Sequence, residues 1–139
     1  MARSVLATRV QGLTVILLAF SLSLPMAQED PHKEAVTWYN QGMTAYQAKD
    51  FVGYLEALKK AAELFPEHPA LQYRLACASA LVGNKDDAIA RLRRVVEMKV
   101  YYDLADNTDF DAIRTSAEFQ SVAASMKSLK DHVGSSQTA

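Results

Sequence analysis

Between Ala35 and Val100 the apolar residues return every three or four positions. In the stretch AVTWYNQGMTAYQAKDFVGYLEALKKAAELFP, Trp38, Ala45 and Ala48 form one apolar run, and Phe51, Leu55, Leu58, Ala62 and Leu64 form a second. The stretch PALQYRLACASALVGNKDDAIARLRRVVEMKV starts at Pro69 and repeats the plan. There Leu75, Ala78, Ser79 and Val82 are followed by Ala88, Ile89, Leu92, Val95 and Val96. Such spacing puts one side of a helix on a core and the other in water, so four amphipathic helices are predicted. The breaks repeat as well: Lys49-Asp50 and Gly83-Asn84 lie 34 residues apart. Gly83 suits the left-handed residue that ends a helix. Asp50 and Asn84 suit N-caps, and Asp87 stands three residues after Asn84. Pro66 and Pro69 end one hairpin and begin the next, and His68, ahead of Pro69, is pushed out of helical geometry.

Residues 35–68 and 69–102 thus align without a gap, each as a helix–turn–helix unit of 34 residues. A unit of that length resembles the tetratricopeptide repeat. The first unit carries Trp38, Gly42, Leu58, Ala61 and Pro66 at signature places. It departs at Gln41, Ala45 and Tyr54, with a tyrosine one residue late at Tyr46. The second carries Leu75, Ala76, Ala88 and Leu92, and departs at Gln72 and Val100. The resemblance implies an all-α fold, a right-handed antiparallel helix-hairpin array or α-solenoid. It also gives a reason for the small residues of YRLACASALVGN. Ala76, Ala78 and Ser79 sit where the first helix of a unit must approach its neighbours closely.

After Val100 the register fails. Asp109 to Arg114 reads as a short helix, and Ser116 to about Lys130 as a longer one with Phe119, Val122, Met126 and Leu129 along one stripe. Residues 103–133 are expected to be degenerate capping helices, since terminal repeats cover the last open face. The pattern from Asp106 to Phe119 resembles a segment that often follows tetratricopeptide repeats in bacterial proteins, where the repeats stand alone or are appended to enzymes. The tail 134–139 is expected to be disordered.

The first residues read differently. Arg3 and Arg9 precede an apolar run from Gly12 to Leu24, then Pro25-Met26-Ala27 and an acidic stretch. This is the order of a secretory signal, and the apolar run is short of the roughly 20 residues of a membrane span. Residues 1–27 are therefore read as a signal peptide and 28–34 as a lead-in. The expectation is an exported protein, periplasmic or secreted; Pro25 makes the cleavage site unclear, and an uncleaved signal would anchor the chain in the inner membrane. Without Arg3 and Arg9, 13 Lys and Arg face 16 Asp and Glu, so phosphate backbones are poor partners and no nucleic-acid binding is expected. Cys77 is the one cysteine, so no internal disulfide staples the fold.

Little in the sequence speaks for catalysis. Asn107, Asp109, Asp111 and Glu118 fall at positions of a calcium-loop template, but Ala112 stands where a glycine should turn the loop. They are read instead as acidic residues at a helix start. His32, His68 and His132 match no zinc spacing, and no phosphate loop or nucleophile elbow occurs. No enzyme, metal or cofactor is expected.

Binding is the better expectation. In tetratricopeptide proteins the first helices line a concave groove. Carried over, the groove positions are Val36, Tyr39, Asn40, Met43, Tyr46 and Gln47, then Tyr73, Arg74, Cys77, Ala80 and Leu81. Tyrosine and arginine are common interface anchors, suiting an extended peptide or a partner helix. The family's chaperone-type carboxylate clamp is not implied, because Tyr39 and Met43 stand where it uses Lys and Asn. The run from Arg91 to Arg94 reads as a solvated basic face. The expected function is a non-catalytic adaptor for a protein or peptide in the cell envelope. Two alternatives stand beside it: a self-associating domain whose homodimer buries the open ends, and an accessory subunit of an exported enzyme.

Overall fold

The computed structural model describes residues 30–135, and its regular structure there is entirely helical. Five α-helices follow in order: α1 Pro31–Gln47, α2 Phe51–Leu64, α3 Pro69–Leu81, α4 Lys85–Glu97 and α5 Ala117–Ser135. A short 3-10 turn, Thr108–Phe110, precedes α5. The protein is all-α, as the periodicity predicts. The signal-peptide reading of 1–27 lies outside the described residues.

The helix ends follow from local chemistry. Asp50 caps α2 by accepting the Gly53 N–H at 2.9 Å, and Asn84 caps α4 by accepting the Asp87 N–H at 3.3 Å. A Cβ at Gly53 would lie 2.3 Å from a carboxylate oxygen of Asp50, so a larger residue there would require the Asp50 side chain to shift. Pro69 opens α3, behind His68 in extended geometry (φ −85°, ψ 113°). The turns closing α1, α3 and α4 share one conformation. Lys49, Gly83 and Lys99 are left-handed, at φ 59°, 81° and 60°. The next residue in each turn donates back five positions: Asp50 to Ala45, Asn84 to Ser79, Val100 to Val95. This double-bonded turn satisfies carbonyls that a helix end leaves free.

Each helix packs on the next, and the 3-10 turn packs on α3. One apolar cluster joins Tyr54, Leu58, Ala61 and Ala62 of α2 to Leu71, Leu75 and Ala78 of α3. The other joins Ala76, Cys77 and Ala80 of α3 to Ala88, Ile89, Leu92 and Val95 of α4, and continues into Leu104, Phe110, Ile113, Phe119, Val122 and Met126. Helix α3 is therefore covered on both sides, with every residue from Leu75 to Ala80 buried. A helix enclosed in this way keeps small side chains so that two neighbours can approach. Each fully buried leucine contributes about 1.5–3 kcal/mol.

α1 begins at Pro31, inside the lead-in 28–34, where Asp30 caps it by accepting the His32 N–H at 3.0 Å. Two expectations are corrected. Asp109 to Arg114 is not a helix: after the 3-10 turn the backbone continues in turns to Thr115. Ser116 Oγ accepts the Phe119 N–H at 3.3 Å, and α5 then runs through Ser135, two residues into the segment expected as tail.

Candidate functional site

No Cα of α1 comes within 8 Å of α3, because α2 packs against both. α1 and α3 thus stand as walls over α2. Tyr39 of α1 lies near Arg74 of α3, and Tyr46 of α1 and Tyr73 of α3 both meet the segment that follows α4. Tyr39, Met43 and Tyr46 rest on the cluster that contains Tyr54 and Leu58.

The cleft has a closed end and an open end. At the closed end the chain's own C-terminal segment occupies it. Tyr46 donates its hydroxyl to Asp109 at 2.8 Å. The Asn107 amide donates to the Tyr73 hydroxyl at 2.7 Å and to Cys77 Sγ at 3.4 Å. The Tyr73 ring stacks on Tyr102 at 4.2 Å and 5° between planes. Asp109 is buried by this contact. Its hydrogen bond, followed by burial, raises the Tyr46 phenol above its ordinary pKa. Burial pushes Tyr73 up to about 12.

Cys77 corrects the sequence expectation. It is 0% exposed, faces α4 and the cap rather than the cleft, and burial pushes its thiol up to about 12. A thiol so protonated is no nucleophile at neutral pH. Ala80 is likewise buried on the α4 side and lines no open groove, while Leu81 is half-buried on the α2 cluster, as Tyr39 and Met43 are. Asn40 and Gln47 are exposed on α1.

The open end lies at the start of α1 and α3. A cavity of about 360 Å³ opens there, lined chiefly by His32, Val36 and Tyr39 of α1, Phe65 and His68 of the α2–α3 connection, and Leu71 of α3. His32 meets the Phe65 ring edge-on at 5.9 Å. Val36 is 46% exposed at its mouth. No lining residue carries a carboxylate.

Arg74 sits one turn along α3 from Leu71, half-buried, and takes part in none of the ion pairs among the described residues. Burial works against its charge, yet the phenol oxygens of Tyr54 and Tyr39 outweigh that and raise its pKa. The Tyr54 hydroxyl is close enough to act on the guanidinium. It does not meet hydrogen-bond geometry, and it is left buried without a partner among the described residues. Three other arginines contrast with this one, while Arg93, exposed on α4, takes part in none of the ion pairs among the described residues either. Arg91 is held by Asp87 and Gln72, Arg94 by Glu67 and Glu97, and Arg114 by three backbone carbonyls and Asp111. The basic run at 91–94 is therefore largely compensated.

The acidic template residues do not converge. Asn107 and Asp109 face the cleft, Asp111 pairs with Arg114 at 2.9 Å, and Glu118 pairs with Lys85 at 3.4 Å. No group of three or more His, Cys, Asp or Glu side chains able to hold a metal is found among the described residues. A larger depression of about 640 Å³ lies between residues 101–105 and α5, and none of the predicted groove residues lines it.

Of the residues that the repeat register points to, Val36 and Tyr39 line the cavity, Arg74 lies one turn along α3 from it, Tyr46 and Tyr73 meet the C-terminal segment, and Met43 rests on the α2 cluster. The register misses Tyr54 in the floor, the cavity residues Phe65 and Leu71, and the closure by Tyr102, Asn107 and Asp109. Those contacts span up to 63 residues, and no local pattern announces them. A scan against protein-family models and searches of curated proteins and solved structures gave no match.

Proposed function

We propose that this chain is a non-catalytic protein-binding module, a tetratricopeptide-like pair of hairpins with its own C-terminal cap, acting as an exported adaptor. The 34-residue recurrence of caps and left-handed turns supports the repeat reading. One observation carries the function: a half-buried arginine with no carboxylate partner, set among tyrosines beside an open apolar cavity. Arginine and tyrosine anchor protein interfaces, and a cation held without a counter-charge is completed by a partner's anion.

Self-association through the ends of the array has less support. The outer positions of α1, such as Lys33, Thr37, Gln41 and Thr44, are exposed and polar, as are Gln120, Ser121 and Ser125 of α5.

The test immobilises the protein and challenges it with a cell-envelope extract. Tyr39→Ala and Arg74→Ala variants of unchanged melting temperature serve as controls. A partner retained by the wild type and lost from both variants is the expected result. Equal retention by all three removes the cleft as the binding site.

A further inference from the structure

Resting on that reading, we infer that the cleft takes an acidic amphipathic helix, which seats one large apolar side chain in the cavity beside Val36 and sets an Asp or Glu, one turn away, on Arg74.

Three observations define this occupant. The first is charge. Arg74 takes part in none of the ion pairs among the described residues, and the cavity rim carries His32 and His68 and no carboxylate. The acids around the cleft are engaged in other bonds: Glu34 accepts from the Trp38 indole at 3.4 Å, Glu67 pairs with Arg94, Asp30 caps α1, and Asp109, buried at the closed end, accepts from the Tyr46 hydroxyl at 2.8 Å. The second is spacing. Leu71 lines the cavity and Arg74 follows three residues on, about 4.5 Å along the axis of α3. Side chains three or four apart on a partner helix stand about 5–6 Å apart, so an apolar residue and an acid at that separation meet both features at once. The third is extent. Asn107 and Asp109 shut the far end of the cleft, which confines a partner to the N-terminal turns of α1 and α3. A short helical face fits that span, in the manner of helix-in-groove recognition.

Among the described residues the chain itself carries one pair of this kind. Val52 of α2 is 60% exposed and Glu56, four residues on, is exposed beside it. Valine fills little of a cavity of about 360 Å³, so a larger side chain from another protein is the fitting occupant.

The experiment uses a phage-displayed library of one fixed helical scaffold with its exposed positions randomised. It is selected on the protein and counter-selected on Arg74→Gln, which removes no ion pair. Enriched helices are expected to carry Leu, Met or Phe with Asp or Glu three or four positions away. Their synthetic forms should bind at least about tenfold more weakly to Arg74→Gln and to Val36→Lys. Replacing their acid by Lys should restore binding to Arg74→Glu. The inference is overturned if nothing is enriched, if the acid is absent or stands at no fixed spacing from the apolar residue, or if Arg74→Gln binds equally. It is also overturned if light scattering shows self-association that Val52→Lys abolishes, which assigns the cleft to a second copy. Should an envelope partner still depend on Tyr39 while no helix is enriched, this inference falls and the module reading stands. If neither is seen, both fall.

Discussion

Three residues show how a repeat is written in backbone conformation. Lys49, Gly83 and Lys99 each take the left-handed turn that closes a helix, yet only Gly83 does so without a Cβ penalty. At φ 59°, Lys49 holds a conformation that costs a side-chain-bearing residue roughly 1–2 kcal/mol. Part of that gain is offset because glycine loses more freedom on folding. Lys49→Gly is therefore expected to stabilise the protein by about 0.5–1 kcal/mol, raising the melting temperature by roughly 2–6 °C in thermal circular dichroism. A lower melting temperature would remove the shared-turn assignment. The Lys49 turn is legible in the sequence because it aligns with Gly83. The Lys99 turn is not, because the register ends beside it and lysine gives no sign of a left-handed site.

At the level of elements, α3 and α4 are joined by a polar bridge inside an apolar contact. Ser79, fully buried, donates to the Asp87 carboxylate, which also accepts from Arg91 Nε at 2.7 Å, and Arg91 reaches back to Gln72 on α3. The sequence assigns Asp87 only to the cap of α4, and its N–H does serve there. Its side chain looks across to α3, because a serine enclosed between two helices needs an acceptor. Asp87→Ala strands that hydroxyl and is expected to cost about 1–3 kcal/mol. Burial opposes ionisation of Asp87, but the bonds from Arg91 and Ser79 prevail and hold its pKa below the ordinary 3.8. A depressed folded-state pKa means stability that is present above the unfolded value and lost as pH falls through the folded one. Urea unfolding of wild type and Asp87→Asn should differ most above about pH 4 and converge at lower pH. A gap that stays constant down to pH 2 would show that the charge of Asp87 is not what joins the helices. Helix boundaries were less legible than helix identity. α1 starts inside the lead-in at the Asp30 cap, and the turns after Phe110 replace a predicted helix because Arg114 is drawn to the carbonyls of Leu104, Ala105 and Asn107.

For the whole molecule, the all-α character follows from the sequence, while the closure of the cleft does not. Apolar spacing gives the four helices, and the resemblance to the tetratricopeptide repeat is what points to Tyr39, Tyr46, Tyr73 and Arg74 as residues of one surface. Both are silent on a segment that folds back from beyond the repeats, since Tyr46–Asp109 and Tyr73–Asn107 join residues 63 and 34 positions apart. That segment gives the molecule its unity. Phe110 is fully buried, packs edge-on against Tyr73 at 6.1 Å and tilted against Phe119 at 5.5 Å, and so ties α3 to α5. Among the helices α5 rests on α4 alone, so its order depends on this wedge. Phe110→Ala is expected to cost about 3–5 kcal/mol, the range for removing a buried aromatic ring. Hydrogen exchange locates the loss. Amides of α5 should exchange through local opening in the variant, while those of α2 and α3, enclosed by the other cluster, keep more of their protection. Uniform loss across all five helices would instead mean that the cap and the hairpins fold as a single unit. The same variant bears on the cleft. If the segment 100–110 is what confines a partner to the open end, loosening it exposes Tyr46 and Tyr73 and lengthens the binding face, and a helix selected on the wild type should keep its contact with Arg74.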